Sequence, residues 1–213
     1  MDGNTLQAKI YGGYAKAATR IGLSFAQYRP TSATNPLATS LGSLLASFNA
    51  QDWTYKKPQG YGKAVWYCVA DGTQLAVGDY LVGAPGTFFI ASMQPALPIQ
   101  AVLCNRTVTL YRPQQEASTG IGAYGGNTAQ NQTVLAQGFP ASVLQGSKSE
   151  SSVARLPGDP RQGWWNMLLP PLPGGVLINY ADVVTDDIGK RYLVSSAEQT
   201  SMGWRMAVTE AET

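Results

Sequence analysis

Two regions of the chain alternate apolar and polar residues in the way that antiparallel β-hairpins do. Residues 79–94 hold two β-rich runs that are separated by Ala84, Pro85 and Gly86. Because proline fixes φ and glycine permits a positive φ, these three residues predict a tight turn between two strands. Residues 107–112 alternate threonine or tyrosine with aliphatic side chains, so they predict a further strand.

The same order of residues recurs near the C-terminus, in residues 182–197. Each region is followed by a further predicted strand, at 108–112 and at 204–209 respectively. We interpret the chain as two related β units, with shared turn residues of unrelated hairpins as the alternative explanation. The paired positions, which need no gap, are Asp79 and Asp182, Gly86 and Gly189, Phe89 and Tyr192, Ile90 and Leu193, and Ser92 and Ser195.

The tripeptide Tyr-Arg-Pro also occurs twice, at residues 28–30 and 111–113. In both places it should end a strand, because proline cannot continue the hydrogen-bond ladder of a central strand. The regions between these motifs are less regular. Apolar runs predict strands at 65–69, 133–139 and 164–169, the segment 41–48 is apolar but of uncertain type, and polar residues predict loops at 31–43, 114–132 and 141–158.

Apolar residues recur at helical spacing between residues 5 and 21, which predicts an N-terminal α-helix. Asn4 is the expected N-cap, and Gly22 is the expected left-handed residue after the helix. Gly12 and Gly13 should each weaken the helix by about 1 kcal/mol relative to alanine. Either they allow a close approach to another backbone or they mark a break. The apolar stripe consists of Leu6, Ile10, Tyr14, Ala17, Ala18 and Ile21.

These elements predict a mainly β protein with two related small β-barrel or sandwich units, an N-terminal helix and long loops. The pattern does not decide between two barrels and one sandwich. We expect four parts, which could also form one compact domain. The N-terminal helix and extended arm comprise residues 1–48, the first β unit 49–113, a polar loop excursion 114–160, and the second β unit 161–213.

The composition of the chain limits the classes of function that it can have. Only 13% of residues are charged, against about a quarter in a typical globular protein. Charged residues are depleted at the cores of protein–protein interfaces, so a surface with few charges indicates extensive contact with partners. The net charge of +2 and the lack of a long basic run argue against a dedicated nucleic-acid binder. No run reaches the roughly 18 apolar residues of a membrane span.

Residues for the common catalytic and metal sites are largely missing. The chain contains no histidine, which excludes Ser-His-Asp and Cys-His arrangements and the most frequent metal ligand. Cys68 and Cys104 are too few for a Cys₄ zinc site. We expect both to be reduced and buried, because the N-terminus lacks the features of a signal peptide, and a disulfide is the alternative. We expect no cofactor and no bound metal.

Weaker motifs also have simple explanations. Residues 120–125 match GxGxxG but do not lie between a strand and a helix, so a dinucleotide site is not expected. Ser147 stands beside Lys148 in a polar loop, where a catalytic pair would be solvated. Asn105 and Asn131 begin glycosylation sequons, which have little meaning without a secretory signal.

Acidic and aromatic residues supply the remaining candidates for chemistry. Asp186 and Asp187 are adjacent at a predicted turn, where bonds from local N–H groups explain an aspartate better than catalysis or calcium binding does. Tryptophan rings could stack on a sugar or a base, although a core or interface role is the simpler explanation. The tryptophans are Trp53, Trp66, Trp164, Trp165 and Trp204.

Several stretches together carry a resemblance to a known class of proteins. These stretches are residues 78–82, 86–95, 104–113 and 182–200, with Trp204 and Arg205. From about residue 55 onward, the chain resembles the virion structural proteins of tailed bacteriophages. It is similar to the small β proteins of the head–tail joining region and of the tail-tube or baseplate end. The resemblance implies a ring around a DNA conduit, and it carries no catalytic motif, so it transfers no functional residues.

We therefore expect a non-enzymatic virion protein, assembled in the bacterial cytoplasm, that acts as a ring or connector subunit between the tail tube and a baseplate or neck component. Its expected partners are other copies of itself and neighbouring tail or neck proteins, with non-specific contact to DNA in the lumen and none to a membrane. One alternative is a carbohydrate-binding β module of a receptor-binding protein. Another is a wall-degrading hydrolase that uses Asp186 or Asp187.

Overall fold

The computed structural model describes residues 2–49, 60, 62–114, 131–146 and 163–211. Within these residues the chain forms one α-helix, twelve β-strands and a short 3₁₀ turn at Pro173–Gly175. The helix, α1, spans Gly3–Ile21. The strands are β1 Leu23–Tyr28, β2 Ser40–Asn49, β3 Val65–Ala70, β4 Tyr80–Gly83, β5 Gly86–Ser92, β6 Ile99–Cys104, β7 Arg106–Pro113, β8 Gln132–Gln145, β9 Trp164–Leu169, β10 Val183–Asp186, β11 Arg191–Thr200 and β12 Gly203–Glu210.

The strands form two closed antiparallel barrels with the same topology. Barrel 1 has the strand order β1-β2-β3-β6-β5-β4, and barrel 2 has the order β7-β8-β9-β12-β11-β10. The two orders become identical when each strand is matched with the strand six positions later. The predicted fold class is therefore confirmed, and each β unit is a barrel. Closure leaves no unpaired edge strand in either barrel.

The assignment of strands to the two units differs from the prediction. The expected arm within residues 1–48 contains β1 and most of β2, which complete barrel 1. β7, expected as the third strand of the first unit, pairs with β8 and β10 and belongs to barrel 2. The strand that follows the first hairpin and pairs with its second strand, β5, is β6. An alternating pattern identifies a strand but not its partner, so these assignments needed the tertiary structure.

The polar excursion expected at 114–160 is also only partly correct. The 14-residue strand β8 runs through the middle of this region and continues beyond the predicted strand at 133–139. It therefore includes the first residues of the loop expected at 141–158. The remaining residues of the expected excursion, 115–130 and 147–160, lie outside the described residues.

The repeated hairpins match, but they require a gap. Val82 pairs with Thr87 across the first turn, whereas Thr185 pairs with Arg191 across the second, so the second turn is one residue longer. A slip of one residue would turn every side chain of a strand to the opposite face. The insertion therefore keeps the inward positions equivalent in the two barrels. The corresponding pairs after the turn are Phe88 and Tyr192, Phe89 and Leu193, and Ile90 and Val194.

Aromatic side chains fill the interior of barrel 1. The rings of Phe48 and Phe88 stack with centroids 3.7 Å apart and planes 4° apart. Phe25 meets both rings edge-on, at 5.1 and 6.2 Å, and Trp66 meets Phe88 edge-on at 6.3 Å. The edge-to-face contacts each contribute about 0.5–1.5 kcal/mol beyond the burial of area.

Helix α1 begins earlier than predicted and packs on β2 and β3 of barrel 1. The carboxylate of Asp2 is the N-cap, and its Oδ1 accepts hydrogen bonds from the N–H groups of Asn4 and Thr5 at 2.6 and 3.0 Å. Asn4, the expected cap, is therefore inside the first turn. Gly22 ends the helix with an extended backbone, φ −79°, and not in the expected left-handed conformation.

Only part of the predicted apolar stripe on α1 is covered. Ala18 is the buried residue of the helix, and Tyr11 and Tyr14 pack against the core of barrel 1. Leu6 and Ile21 stay 44% and 56% exposed. The space around Gly12-Gly13 is open and the helix continues through both residues, so neither the close approach to another backbone nor the break is found. Among the described residues, no helix is both long and apolar enough to cross a membrane.

The barrels pack against each other along an apolar face. One cluster of buried side chains joins Tyr80, Phe89 and Val102 of barrel 1 to the core of barrel 2. The Tyr80 hydroxyl donates a hydrogen bond of 2.8 Å to the carbonyl of Pro140 in β8. Asn105 alone separates β6 from β7. The short connection and the shared core hold the barrels together as one block.

Candidate functional site

A buried carboxylate ties the end of β1 to the start of β4 in barrel 1. The Asp79 side chain is fully buried, and the Arg29 guanidinium donates to both of its oxygens, at 2.6 and 2.7 Å. Gln27 Nε2 and the Ala76 N–H also donate to Asp79 Oδ2, at 2.7 and 2.8 Å. The hydrogen bond with Asp79 raises the pKa of Arg29. We call this arrangement, Arg29 with Asp79, the first clasp.

Barrel 2 contains the same arrangement, the second clasp. Arg112 donates from Nε and Nη2 to the two oxygens of Asp182, both at 2.9 Å, and the Asn179 N–H donates at 2.7 Å. Leu110 occupies the place that Gln27 has in barrel 1, because both precede the Tyr-Arg-Pro tripeptide by one residue. Asp182 therefore has one donor fewer than Asp79 among the contacts described.

The clasps hold the loop before each fourth strand in a bent conformation. The residue preceding each aspartate has a positive φ, 91° at Gly78 and 66° at Ala181. A positive φ is uncommon for alanine and costs energy, so the neighbouring bonds must hold it in place. Both aspartates are fully engaged inside the protein, and we assign the clasps a structural role. The sequence showed that the Tyr-Arg-Pro tripeptide and the hairpin aspartate each occur twice. It did not show that the arginine of each tripeptide binds the aspartate of a hairpin.

Asp186 has the bonding expected of an aspartate at a turn. Its side chain is fully buried, and Oδ1 accepts hydrogen bonds from the N–H groups of Ile188 and Lys190 at 3.1 and 2.8 Å. Its Oδ2 accepts from the Tyr192 hydroxyl at 3.0 Å. Burial, together with the hydrogen bond to Asp186 and its charge, raises the pKa of Tyr192. Asp186 therefore stabilises the β10–β11 turn through both oxygens.

A shallow cleft lies where the barrels join, next to this turn. Its volume is about 190 Å³, below the roughly 300 Å³ at which small-molecule pockets usually begin. Arg106 Nε lies 3.9 Å from Asp186 and 4.0 Å from the half-exposed Asp187. Burial raises the pKa of the Cys104 thiol, which disfavours the nucleophilic thiolate. The cleft is lined by Leu37, Thr87, Cys104, Asn105, Arg106, Thr107, Pro140 and Asp187.

None of the four tryptophans that the structure describes is exposed. Trp204 is 4% exposed and belongs to the core of barrel 2. Trp66 and Trp165 pack against the cores of their barrels, and Lys190 lies over the Trp165 ring at 5.5 Å. Trp164 is half-buried. Sugar stacking requires an accessible ring face, so these four form no exposed aromatic platform. Trp53 lies outside the described residues.

Both cysteines are free thiols, and Cys68 is buried as predicted. Burial raises the pKa of Cys68 to about 12. Cys68 pairs with Ile99 in β6, and Cys104 lies five residues further along that strand. At about 3.3 Å per residue the two are roughly 16 Å apart, too far for a disulfide. Cys104 is half-buried rather than buried, because it lies at the end of β6.

The remaining motifs have no ligand-binding geometry in the described residues. Asn105 exchanges two hydrogen bonds with Val143, at 2.9 and 2.8 Å, so its amide joins the start of barrel 2 to β8. Across the described ranges, no group of three or more acidic or cysteine side chains could hold a metal ion. The GxGxxG match at 120–125 and the pair Ser147 and Lys148 lie outside the described residues.

Each barrel carries a transverse row of directly opposed side chains on its outer surface. Opposed residues of an antiparallel sheet point to the same face, and the neighbouring residues in these strands point into the barrels. The row of barrel 1 is buried under barrel 2, whereas the row of barrel 2 is flanked by exposed apolar residues. Row 1 is Tyr28, Tyr80, Phe89, Val102 and Val65, and row 2 is Tyr111, Val183, Leu193, Thr209 and Trp164.

Comparison with known proteins adds no relative to this description. No protein-family model, no curated protein and no solved structure matches the chain.

Proposed function

We propose that the chain is a structural subunit of a tailed-phage virion, in which copies form a closed ring that joins the tail tube to a baseplate or neck component. The observation that carries this proposal is the tandem pair of barrels. They have the same topology, a single residue between them and a shared core. Such a block suits a subunit that keeps its shape while it transmits contacts between neighbours.

The character of the surface supports an assembly role. The exposed large apolar side chains include several on α1 and β2 of barrel 1 and several around β10 of barrel 2. The chain is also poor in charge, since only 13% of its residues are charged. A ring uses two different surfaces of each subunit, so exposed apolar residues at two separate places fit ring closure.

The chemistry of the described residues supports a non-catalytic role. The buried carboxylates of Asp79, Asp182 and Asp186 are all engaged by internal donors. The cleft at the barrel junction is small, and burial raises the pKa of its Cys104 thiol. The proposal therefore assigns no reaction to the chain and leaves non-specific contact with DNA to the lumen of the ring.

Mass determination by light scattering tests this function. We expect a discrete multimer, visible by electron microscopy as a ring with a central channel, and binding to partly assembled tailed-phage particles. A chain that stays monomeric and ignores such particles would overturn the proposal. Quenching or protection of tryptophan fluorescence by a glycan panel, in the same preparation, would favour the carbohydrate-binding alternative.

A further inference from the structure

The contact between the barrels has a direction, because each barrel contributes a different surface. Barrel 1 contributes row 1, which includes Tyr80 at 0% and Phe89 at 1% exposure. Barrel 2 contributes β8 and the segment after β9. The carbonyl of Pro140 in β8 accepts the hydrogen bond from Tyr80. A Cβ on Gly78 would lie 3.6 Å from Pro171. The contact therefore joins row 1 to a different face of barrel 2.

The duplication gives each barrel an equivalent of the surface that the other barrel contributes. Row 2 is the equivalent of row 1, at the barrel 2 end. Exposed apolar side chains surround it: Val134 in β8, opposite Tyr111, is 44% exposed, and Leu177 and Tyr180 in the loop before β10 are 56% and 75% exposed. Row 2 resembles row 1 in its apolar character. Because Val183 in this row is only 3% exposed, the accessible part of the surface consists of the exposed apolar side chains around it.

The opposite end carries the equivalent of the other surface. Leu45 in β2 corresponds to Pro140, because Phe25 pairs with Leu44 as Val108 pairs with Phe139. Leu45 is 40% exposed. The segment after β3 corresponds to the segment after β9, and there Tyr11 of α1 lies against Gly72. Helix α1 therefore covers part of the face that would otherwise bind another row.

The outer flank of α1 is also apolar. At 100° per residue, Leu6 and Ile21 lie roughly 60–120° around the helix from the buried Ala18. Ile10 and Ala17 fall between them and are half-buried. The helix thus packs one side on β2 and β3 of barrel 1 and leaves an adjoining apolar side partly exposed, and the exposed Leu45 lies in β2.

We propose that a second copy of this chain docks head to tail, with the α1 flank and Leu45 of one copy against row 2 of the preceding copy. This contact repeats the internal barrel–barrel interface between chains, with α1 inserted, and it rests on the proposed ring function. Both surfaces are apolar and they differ from each other. The contact is therefore heterologous, and rotation between copies decides whether it closes into a ring.

Two variants separate the two halves of this contact. Leu6→Asp with Ile21→Asp disables the helix half, and Leu177→Asp with Tyr180→Asp disables the row 2 half. All four side chains are at least 44% exposed, so the folds should persist, as circular dichroism and thermal unfolding would check. Met202→Asp is the matched control, since this 42% exposed residue lies in the β11–β12 turn and is not one of the residues that define either surface.

Light scattering over a concentration series gives the decisive readout. We expect the wild type and the control to form the same multimer, and each double variant to associate roughly 100-fold more weakly. An equimolar mixture of the two double variants retains one intact contact, so it should form a dimer and stop there. That outcome requires a heterologous interface between these two surfaces.

Other outcomes overturn the inference in distinguishable ways. If both double variants assemble like the wild type, the contact is wrong while the ring function stands. If the mixture stays monomeric although each variant is folded, the two surfaces do not bind each other. A wild type that is monomeric at all concentrations overturns the self-contact, and the particle-binding assay then decides the proposed function separately.

Discussion

Replacing Arg112 with methionine should destabilise the protein more than the same replacement of Arg29, although the two arginines hold equivalent aspartates. Methionine keeps an apolar stem of similar length and removes the guanidinium. Each change removes two charge-assisted hydrogen bonds from a buried carboxylate. The larger part of the difference arises from Gln27, which remains 2.7 Å from Asp79, whereas Leu110 occupies the equivalent place in barrel 2. Arg112 also loses a 2.8 Å hydrogen bond to the Leu177 carbonyl, whereas the corresponding contact of Arg29 with Gln74 is 3.5 Å.

The expected magnitudes follow from the donors that remain. Removing one partner of a buried ion pair costs about 3–5 kcal/mol. The Arg112 side chain is 38% exposed, so solvent screening places Arg112→Met near the lower end, about 3 kcal/mol. A hydrogen bond to a charged group contributes about 1.5–3 kcal/mol. Because Asp79 keeps one donor more than Asp182, Arg29→Met should cost about 1.5 kcal/mol less.

Urea unfolding, followed by tryptophan fluorescence and circular dichroism, measures these free energies. Lys16→Met on the exposed face of α1 is the control and should change the free energy of unfolding by less than about 0.5 kcal/mol. Adding Gln27→Leu to Arg29→Met should raise its cost to that of Arg112→Met. Equal costs for the two arginine variants, or no further loss from Gln27→Leu, would refute the reasoning.

Three further predictions concern separate features. Gly203→Ala should cost more than about 3 kcal/mol, because φ is 117° and the added Cβ would overlap a β9 carbonyl, whereas Gly12→Ala in open space should stabilise α1 by about 0.5–1 kcal/mol; similar melting temperatures would contradict this. Tyr80→Phe should cost about 1–2 kcal/mol in urea unfolding, because the buried Pro140 carbonyl loses its 2.8 Å hydrogen bond, and an unchanged midpoint would disprove that. Burial raises the pKa of Cys68 from 9.0 to about 12, so the unfolded chain loses this proton first and stability should fall as pH rises from about 9 to 12; a Cys68→Ala variant with the same pH profile would exclude Cys68 as the cause.

The sequence alone determined the local elements of this protein and the fact that they repeat. Helix α1, both turn-containing hairpins and the strand-ending Tyr-Arg-Pro tripeptides were all predictable, because turn chemistry and periodicity act within about ten residues. The lack of histidine similarly excluded Ser-His-Asp and Cys-His catalytic arrangements and metal binding through histidine. The gap in the second hairpin was missed, since shared turn residues align without it although the barrel interior does not.

Only the tertiary structure decided which strands share a barrel and which side chains meet. β7 alternates like any strand, yet its pairing with β8 and β10 places it in barrel 2. Arg29 finds Asp79 fifty residues away and Arg112 finds Asp182 seventy residues away. The apolar stripe of α1 predicted a buried helix face, whereas packing covers only the side at Ala18. Such contacts depend on barrel closure and on the geometry between barrels, which no local pattern encodes.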